Sequence, residues 1–370
     1  MENFEDVLRK IPVLRERFIG QKNRLIKLYA SEVGYDEVHV EFLFDDLLAF
    51  LDGFEILQKK MSLEWRKKER FYDQWGDTKI ARAPWGKVLI CSPGNSVIPL
   101  IPIFIISFCA MGNGLVLVPS RKSIKTATLL INIMKDIVSS LNWDFSVIMK
   151  NSAFSLWDTV GSEQINLLYF QGSSSSRHDI YSNCISKGID LIYEGEGNQI
   201  TIIEDLEESK INDVADILIR SKKFCRGQLC TSPCVVFIHS LELSRLLENG
   251  IKLGDHIVVD LSDEIVRELL AQPPASEILY FISYSDFDTL ISFLRINYRY
   301  GLQVTLFSGR PELLENKIIN LLQISRLVVN KDPTYQNSLL PWGGYRQSGF
   351  SQVLNFLEKA SRTVVVERGS

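Results

Sequence analysis

From Lys87 onward the chain repeats one unit: a short apolar run, a turn of small residues, then a segment with helical spacing. The first runs are Lys87–Cys91, Gly114–Val118, Asp144–Met149 and Leu167–Phe170, three of them followed by Ser92-Pro-Gly-Asn95, Pro119–Ser123 and Gln171–Ser176. Continuous apolar runs of this length suit strands buried on both faces, and helices between them supply the cover. The pattern predicts a doubly wound α/β fold with helices over 97–110, 124–141 and 177–187. It continues with strands at 190–193, 199–203, 235–239, 257–260, 278–283, 303–307 and 326–330, and helices at 211–219, 241–249, 264–270, 287–297 and 311–322. Residues 1–75 read as an all-helical lead-in, with Val7, Leu8, Ile11, Leu14 and Phe18 on one face and a break at Gly76-Asp77. Pro273-Pro274 interrupts the later alternation. A helix at 351–360 and a β-branched strand, Thr363–Val366, close the chain.

A length of 370 residues suggests two domains, or one large α/β unit with an insertion. The 41 basic and 45 acidic side chains nearly balance, which gives no reason to expect nucleic acid or an anionic membrane as partner. The most basic run, Arg66 to Arg70, reads as a solvated helix face. Six cysteines are dispersed behind an acidic, amphipathic start, which points to free thiols and a cytoplasmic location. Cys225, Cys230 and Cys234 have no zinc-site spacing and the four histidines are scattered, so no metal is expected. The apolar run 97–110 contains Pro99 and Pro102 and falls short of the roughly 20 residues of a membrane span. It reads as a buried helix with its prolines near the first turn, where a missing N–H costs little.

Cys230 follows a Gly-Gln turn and precedes a hydrophobic strand, in Ser221-Lys-Lys-Phe-Cys-Arg-Gly-Gln-Leu-Cys230. That position suits a nucleophilic thiol, although a free cysteine is also ordinary packing material. Gly172 and Ser173 form a small-residue turn before a helix, which can present N–H groups to a phosphate or can be plain loop. Asn95 after Pro-Gly has the local character of a turn residue.

Taken in order, these segments resemble the aldehyde dehydrogenase superfamily. Ser92-Pro-Gly-Asn95 resembles its Pro-Trp-Asn turn, and Gly112-Asn113 with Val118-Pro-Ser120 its Gly-Asn and Lys-Pro-Ser segments. Phe170-Gln-Gly-Ser173 resembles Phe-Thr-Gly-Ser, and Tyr193-Glu-Gly-Glu-Gly197 resembles Leu-Glu-Leu-Gly-Gly. Phe224 to Cys230 resembles the nucleophile segment, one residue shorter between Phe and Gly. Tyr300-Gly-Leu302, Asn330 and Pro341-Trp-Gly-Gly-Tyr-Arg-Gln-Ser-Gly349 resemble three later signatures. The resemblance implies a Rossmann-like nucleotide-binding domain with N-terminal helices over 1–224, a shortened α/β catalytic domain over 225–340, and a C-terminal segment over 341–370 whose strand serves a homodimer.

It also implies roles. Cys230 attacks an aldehyde carbon and carries a thiohemiacetal, then a thioester, while NADP or NAD accepts a hydride. Asn95 and the Cys230 N–H serve the oxyanion, and Glu194 is the general base, with Glu196 as the neighbouring alternative. Arg226 or a helix N-terminus is the expected means of lowering the thiol's pKa. Ser92, Pro93, Ser120, Arg121, Gly172 and Ser173 are the implied cofactor contacts. Val118 replaces the family's lysine and Arg121 follows Pro-Ser, which leans toward a 2′-phosphate and so NADP. Arg177 takes the place of a second glycine, and the ribose-gripping Glu-x-Phe-Gly-Pro motif is reduced to Glu277-Ile278 at most. Only 71 residues separate Cys230 from Gly301 (301 minus 230), which suggests an open substrate site. The alternatives are an acyl-CoA or carrier-bound thioester reductase, which usually lacks a glutamate at the Glu194 position, and a non-catalytic scaffold.

Overall fold

The structure, a computed structural model, describes residues 2–72, 78–149, 155–248, 256–272, 278–350 and 353–367. The expected break at Gly76-Asp77, Pro273-Pro274, Glu277 and the residues 351–352 lie outside them. Contacts divide the chain into two units, the first of residues 1–193, 337–342 and 354–370, the second of 194–336 and 343–353.

In the first unit, α1 (Glu2–Gly20), α2 (Lys22–Val33) and α3 (Glu37–Tyr72) form the helical lead-in. Then come β1 (Thr78–Pro84), β2 (Lys87–Cys91), α4 (Val97–Ala110), β3 (Gly114–Val118), α5 (Ile124–Ser140), β4 (Phe145–Val147), α6 (Leu156–Ser162), β5 (Leu167–Gln171), α7 (Arg177–Lys187) and β6 (Asp190–Glu194). The sheet order is β4-β3-β2-β5-β6, and β2 pairs in parallel with both β3 and β5. Both central strands are buried from their second residue onward, as their unbroken apolar sequence requires. Helix α4 is apolar on all sides and buried along nearly its whole length, so it packs as core. Pro99 sits in its first turn as expected, but Pro102 lies inside the helix. Asn113, buried, accepts from Trp85 N (2.7 Å) and donates to the carbonyls of Phe108 (2.9 Å) and Ala360 (2.7 Å). The N-terminus of α5 is closed by Glu32, which accepts from the backbone N–H groups of Lys125 and Thr126 at 2.7 and 2.8 Å.

The second unit holds β7 (Gln199–Glu204), α8 (Ile211–Lys223), β8 (Pro233–His239), α9 (Ser240–Glu248), β9 (His256–Asp260), α10 (Glu264–Ala271), β10 (Leu279–Tyr284), α11 (Phe287–Asn297), β11 (Tyr300–Gly301), β12 (Gln303–Ser308), α12 (Glu312–Leu321), β13 (Arg326–Val329) and β14 (Tyr345–Arg346). Six strands make a parallel sheet in the order β13-β12-β7-β8-β10-β9. Alternation along β8 separates the two core faces: Val235 and Phe237 enter one cluster, Val236 and Ile238 the other. The boundary lies at 193/194, whereas the sequence reading drew it at 224/225. The reason is that β7 is a central strand of this sheet and α8 packs on the face bearing Val236 and Ile238.

The last elements, α13 (Phe356–Lys359) and β15 (Ser361–Glu367), return to the first unit. The expected helix at 351–360 is confined to four residues, because Leu354 bridges Trp342 as extended chain and Asn355 starts the helix with a capping box to Glu358. The closing strand has a partner within the chain: β15 pairs antiparallel with β1, Pro84 opposite Ser361 and Thr78 opposite Glu367. Among the described residues no helix is long and apolar enough to cross a membrane, and no group of three potential ligands could hold a metal.

Candidate active site

In the first unit, the parallel strands β2, β3 and β5 deliver their following turns to one edge of the sheet. The chain proceeds through β3 and β4 on one side and through β6 on the other, so β2 and β5 flank the switch point, where open α/β sheets bind ligands. Ser92, Pro93 and Asn95 leave β2 there, Ser120 and Arg121 leave β3, and Gly172 and Ser173 leave β5. Gly94 keeps two of these turns together, since a Cβ on it would lie 2.9 Å from Ser120 Oγ. The Tyr29 hydroxyl donates to the Gly94 carbonyl at 2.8 Å. Ser173 accepts from Ser175 N, and the Tyr193 hydroxyl donates to the Ser173 carbonyl at 3.1 Å while its ring stacks on Phe170. Arg121 is exposed. The Ser92 hydroxyl is buried at the end of β2 with no hydrogen-bond partner. A buried, unsatisfied hydroxyl at a switch point, beside turns rich in Ser and Gly, fits a polar ligand such as the phosphates of a dinucleotide.

In the second unit, Cys230 lies in the turn that feeds β8 and is half-buried. The turn is reached through a rare backbone run: Cys225, Arg226 and Gly227 have φ of 49°, 56° and 67°. Consecutive left-handed residues are unfavourable for side chains other than glycine, and here they bring the chain around ahead of Cys230. Across from it, Gly197 presses on the backbone of Cys230, where a Cβ would be 1.9 Å from the Cys230 carbonyl oxygen.

The Cys230 thiol is pushed up to about 12, chiefly by loss of water and next by the Glu194 carboxylate, while backbone hydrogen bonds from Cys230 and Thr231 and the charge of Arg326 pull it down. Glu194, buried, is the carboxylate whose charge raises the thiol. Arg326 is the cation whose charge pulls the thiol down. Arg226 is exposed on the left-handed turn, and Cys230 precedes a strand. The Arg326 guanidinium is itself pulled down by burial. An arginine opening an apolar strand gave no sequence signal beyond its position, so its role was not legible.

The late Gly-Gly-Tyr-Arg-Gln-Ser-Gly segment acts as a clamp on the turn that carries Glu194. Gly195 N donates to Ser348 O at 3.1 Å, the Ser348 hydroxyl donates to Glu196 O at 2.8 Å, and Glu194 forms a bridge with Gly349. Gly344 is in close approach, since a Cβ there would meet Ser348 O at 2.5 Å. Asn330, at φ 50°, ties the ends of β12 and β13 by accepting from Ser308 N and donating to Ser308 O, each at 2.9 Å.

A model of the aldehyde dehydrogenase family matches residues 13–260, two-thirds of the chain, from within α1 past the Cys230 turn. The chain belongs to the aldehyde dehydrogenase family. Membership makes it an oxidoreductase of the NAD(P)-dependent aldehyde dehydrogenase class. A lactaldehyde dehydrogenase of Methanococcus maripaludis is 26% identical over 325 residues, 73% of this chain and 68% of that one. Among solved structures, a glyceraldehyde-3-phosphate dehydrogenase of Methanocaldococcus jannaschii, complexed with NADP, superposes with a TM-score of 0.74 at 16% identity, covering 99% of this chain and 94% of its own. Betaine aldehyde dehydrogenase of Staphylococcus aureus, in complex with NAD+, gives 0.77 at 16% identity over 97% and 82%. At that identity both describe the fold.

Proposed function

We propose that this family member oxidises an aldehyde to a carboxylic acid, with Cys230 as nucleophile, Glu194 as general base and NADP or NAD as the oxidant. The observation that carries the reading is the match to the aldehyde dehydrogenase family over residues 13–260, with Glu194 and the Cys230 turn, pressed by Gly197, in the same unit. A thiol at about 12 is neutral at physiological pH, so it needs a base at hand rather than standing ionised. Glu194 takes the thiol proton, and the thiolate adds to the aldehyde carbon. After oxidation the product is a Cys230 thioester, and Glu194, once it has passed the thiol proton to solvent, deprotonates the water that releases the acid and restores the Cys230 thiol. A carboxylate in that position favours hydrolysis over transfer to a second thiol.

The nicotinamide group, when bound, supplies the hydride acceptor. Ser92, Pro93, Ser120, Arg121, Gly172 and Ser173 are the residues that would hold the dinucleotide, with Arg121 favouring a 2′-phosphate. Asn95 keeps the oxyanion-donor role that the family resemblance assigns to it. A homodimer belongs to the same reading, since the two-stranded β1–β15 sheet offers an edge for a second copy. The test is acid formation from a panel of aldehydes with NADP and with NAD, followed by peptide mass spectrometry after rapid quench. An acyl adduct on the Cys230 peptide supports the reading. Turnover with the adduct on another cysteine, or no nucleotide reduction with any aldehyde, would reject it.

A further inference from the structure

Helix α2 sends two side chains, three residues apart and so on one face, to the edge of the first unit's sheet where β2 and β3 end. The first is Tyr29. Its hydroxyl donates to the Gly94 carbonyl at 2.8 Å and accepts from Val97 N at 3.4 Å, so one oxygen spans the turn from Gly94 to the first residue of α4. The ring is fully buried and meets Tyr35 edge-on, with centroids 5.9 Å apart. The second is Glu32, whose carboxylate takes Lys125 N, Thr126 N and, at 2.6 Å, the Thr126 hydroxyl, and so ties α2 to the start of α5. A helix is commonly capped by the side chain of the residue ahead of it. Ser96 stands at that place before α4 and makes no such bond, and the N–H of the buried Val97 meets Tyr29 instead. The turn held in this way begins at Ser92, whose buried hydroxyl has no hydrogen-bond partner, and packs through Gly94 against Ser120 of the next turn.

We propose that Tyr29 is a positioning residue of the dinucleotide site, fixing from α2 the turn that presents Ser92 and Pro93 to the cofactor. The proposal rests on the turns after β2, β3 and β5 holding a dinucleotide. Tyrosine suits the place because one hydroxyl donates and accepts at once, which the Gly94 carbonyl and the Val97 N–H together require. Without that oxygen a carbonyl and a buried N–H lose a partner, and the turn shifts to find others.

The test is the dissociation constant of the full chain for NADP and for NAD, by isothermal titration calorimetry without an aldehyde. Tyr29→Phe keeps the ring and removes only the oxygen, and it weakens binding of each nucleotide about tenfold, the equivalent of about 1.4 kcal/mol. The two weaken alike, because the 2′-phosphate is assigned to Arg121 on another turn. Tyr29→Leu does the same and serves if the phenylalanine variant does not fold. Asn113→Ala is the control for lost stability: it loosens the same unit just ahead of β3, at the opposite end of the strand from these turns, and leaves both constants within about twofold of wild type. Wild-type affinity in Tyr29→Phe overturns the proposal, as does an equal weakening in Asn113→Ala, which would make the effect one of stability alone. A wild-type chain that binds neither nucleotide overturns the dinucleotide reading itself, and with it the proposal, so that failure is distinct from a failure of Tyr29.

Discussion

Gly197 lies against the backbone of Cys230, so close that even a methyl group would be placed 1.9 Å from the Cys230 carbonyl oxygen. Neither partner can yield cheaply, since the obstacle is backbone at the entrance to β8 and not the end of a flexible side chain. Gly197→Ala is therefore expected to displace the Cys230 turn and, in the proposed role of Cys230, lower turnover about a hundredfold, the loss that follows an ångström of misplacement. Steady-state kinetics beside an unchanged circular dichroism spectrum checks it, and near wild-type turnover would show that the contact does not matter.

The negative charge of Glu194 raises the thiol's pKa. In the proposed role it is also the base, so Glu194→Gln should slow acid formation about 10²- to 10⁴-fold. Acid formation within about threefold of wild type would contradict that role.

The left-handed turn at Cys225–Gly227 stores strain. Arg226, exposed at φ 56°, is the position where glycine relieves most, because the left-handed region costs a side chain roughly 1–2 kcal/mol. Part of that gain is returned through the greater freedom of glycine in the unfolded chain. Arg226→Gly should raise stability by about 0.5–1 kcal/mol in urea titration, and destabilisation would mean that the arginine's own contacts outweigh the strain.

Much of the scaffold was legible because its signals are local. Short apolar runs such as Gly114-Leu-Val-Leu-Val118 have few uses other than a buried strand, and the all-apolar 97–110 could only be core. The limits of local reading show at 351–360, where helical spacing was overruled by the bridge between Leu354 and Trp342 and by the cap at Asn355. Distinguishing Glu194 from Glu196 is a question of one turn's register, and that register is fixed by Ser348, far along the chain. Arg326 was invisible for the same reason, since its meaning comes from Gln303, Tyr335 and the thiol, none of them adjacent in sequence.

Asn113 makes three buried hydrogen bonds to Trp85, Phe108 and Ala360, holding together segments from three parts of the first unit. Asn113→Ala leaves an N–H and two carbonyls without that partner and should cost about 3 kcal/mol. A shift of the urea midpoint with unchanged slope checks it, and a change within 0.5 kcal/mol would mean that water replaces the side chain.

Arg121 follows the turn after β3 and is exposed. Arg121→Ser is expected to raise the KM for NADP about tenfold, the loss of one charged contact of roughly 1.4 kcal/mol, with the KM for NAD little changed. Equal effects on the two cofactors would remove the reason for favouring NADP.

The most direct measurement is nucleotide reduction by Cys230→Ala with an aldehyde that the wild-type protein oxidises. With a folded variant and retained nucleotide binding, turnover should fall below detection, at least about a thousandfold, because no other side chain supplies the thioester. Turnover within tenfold of wild type would contradict Cys230 as the nucleophile, and with it the chemistry assigned to Glu194.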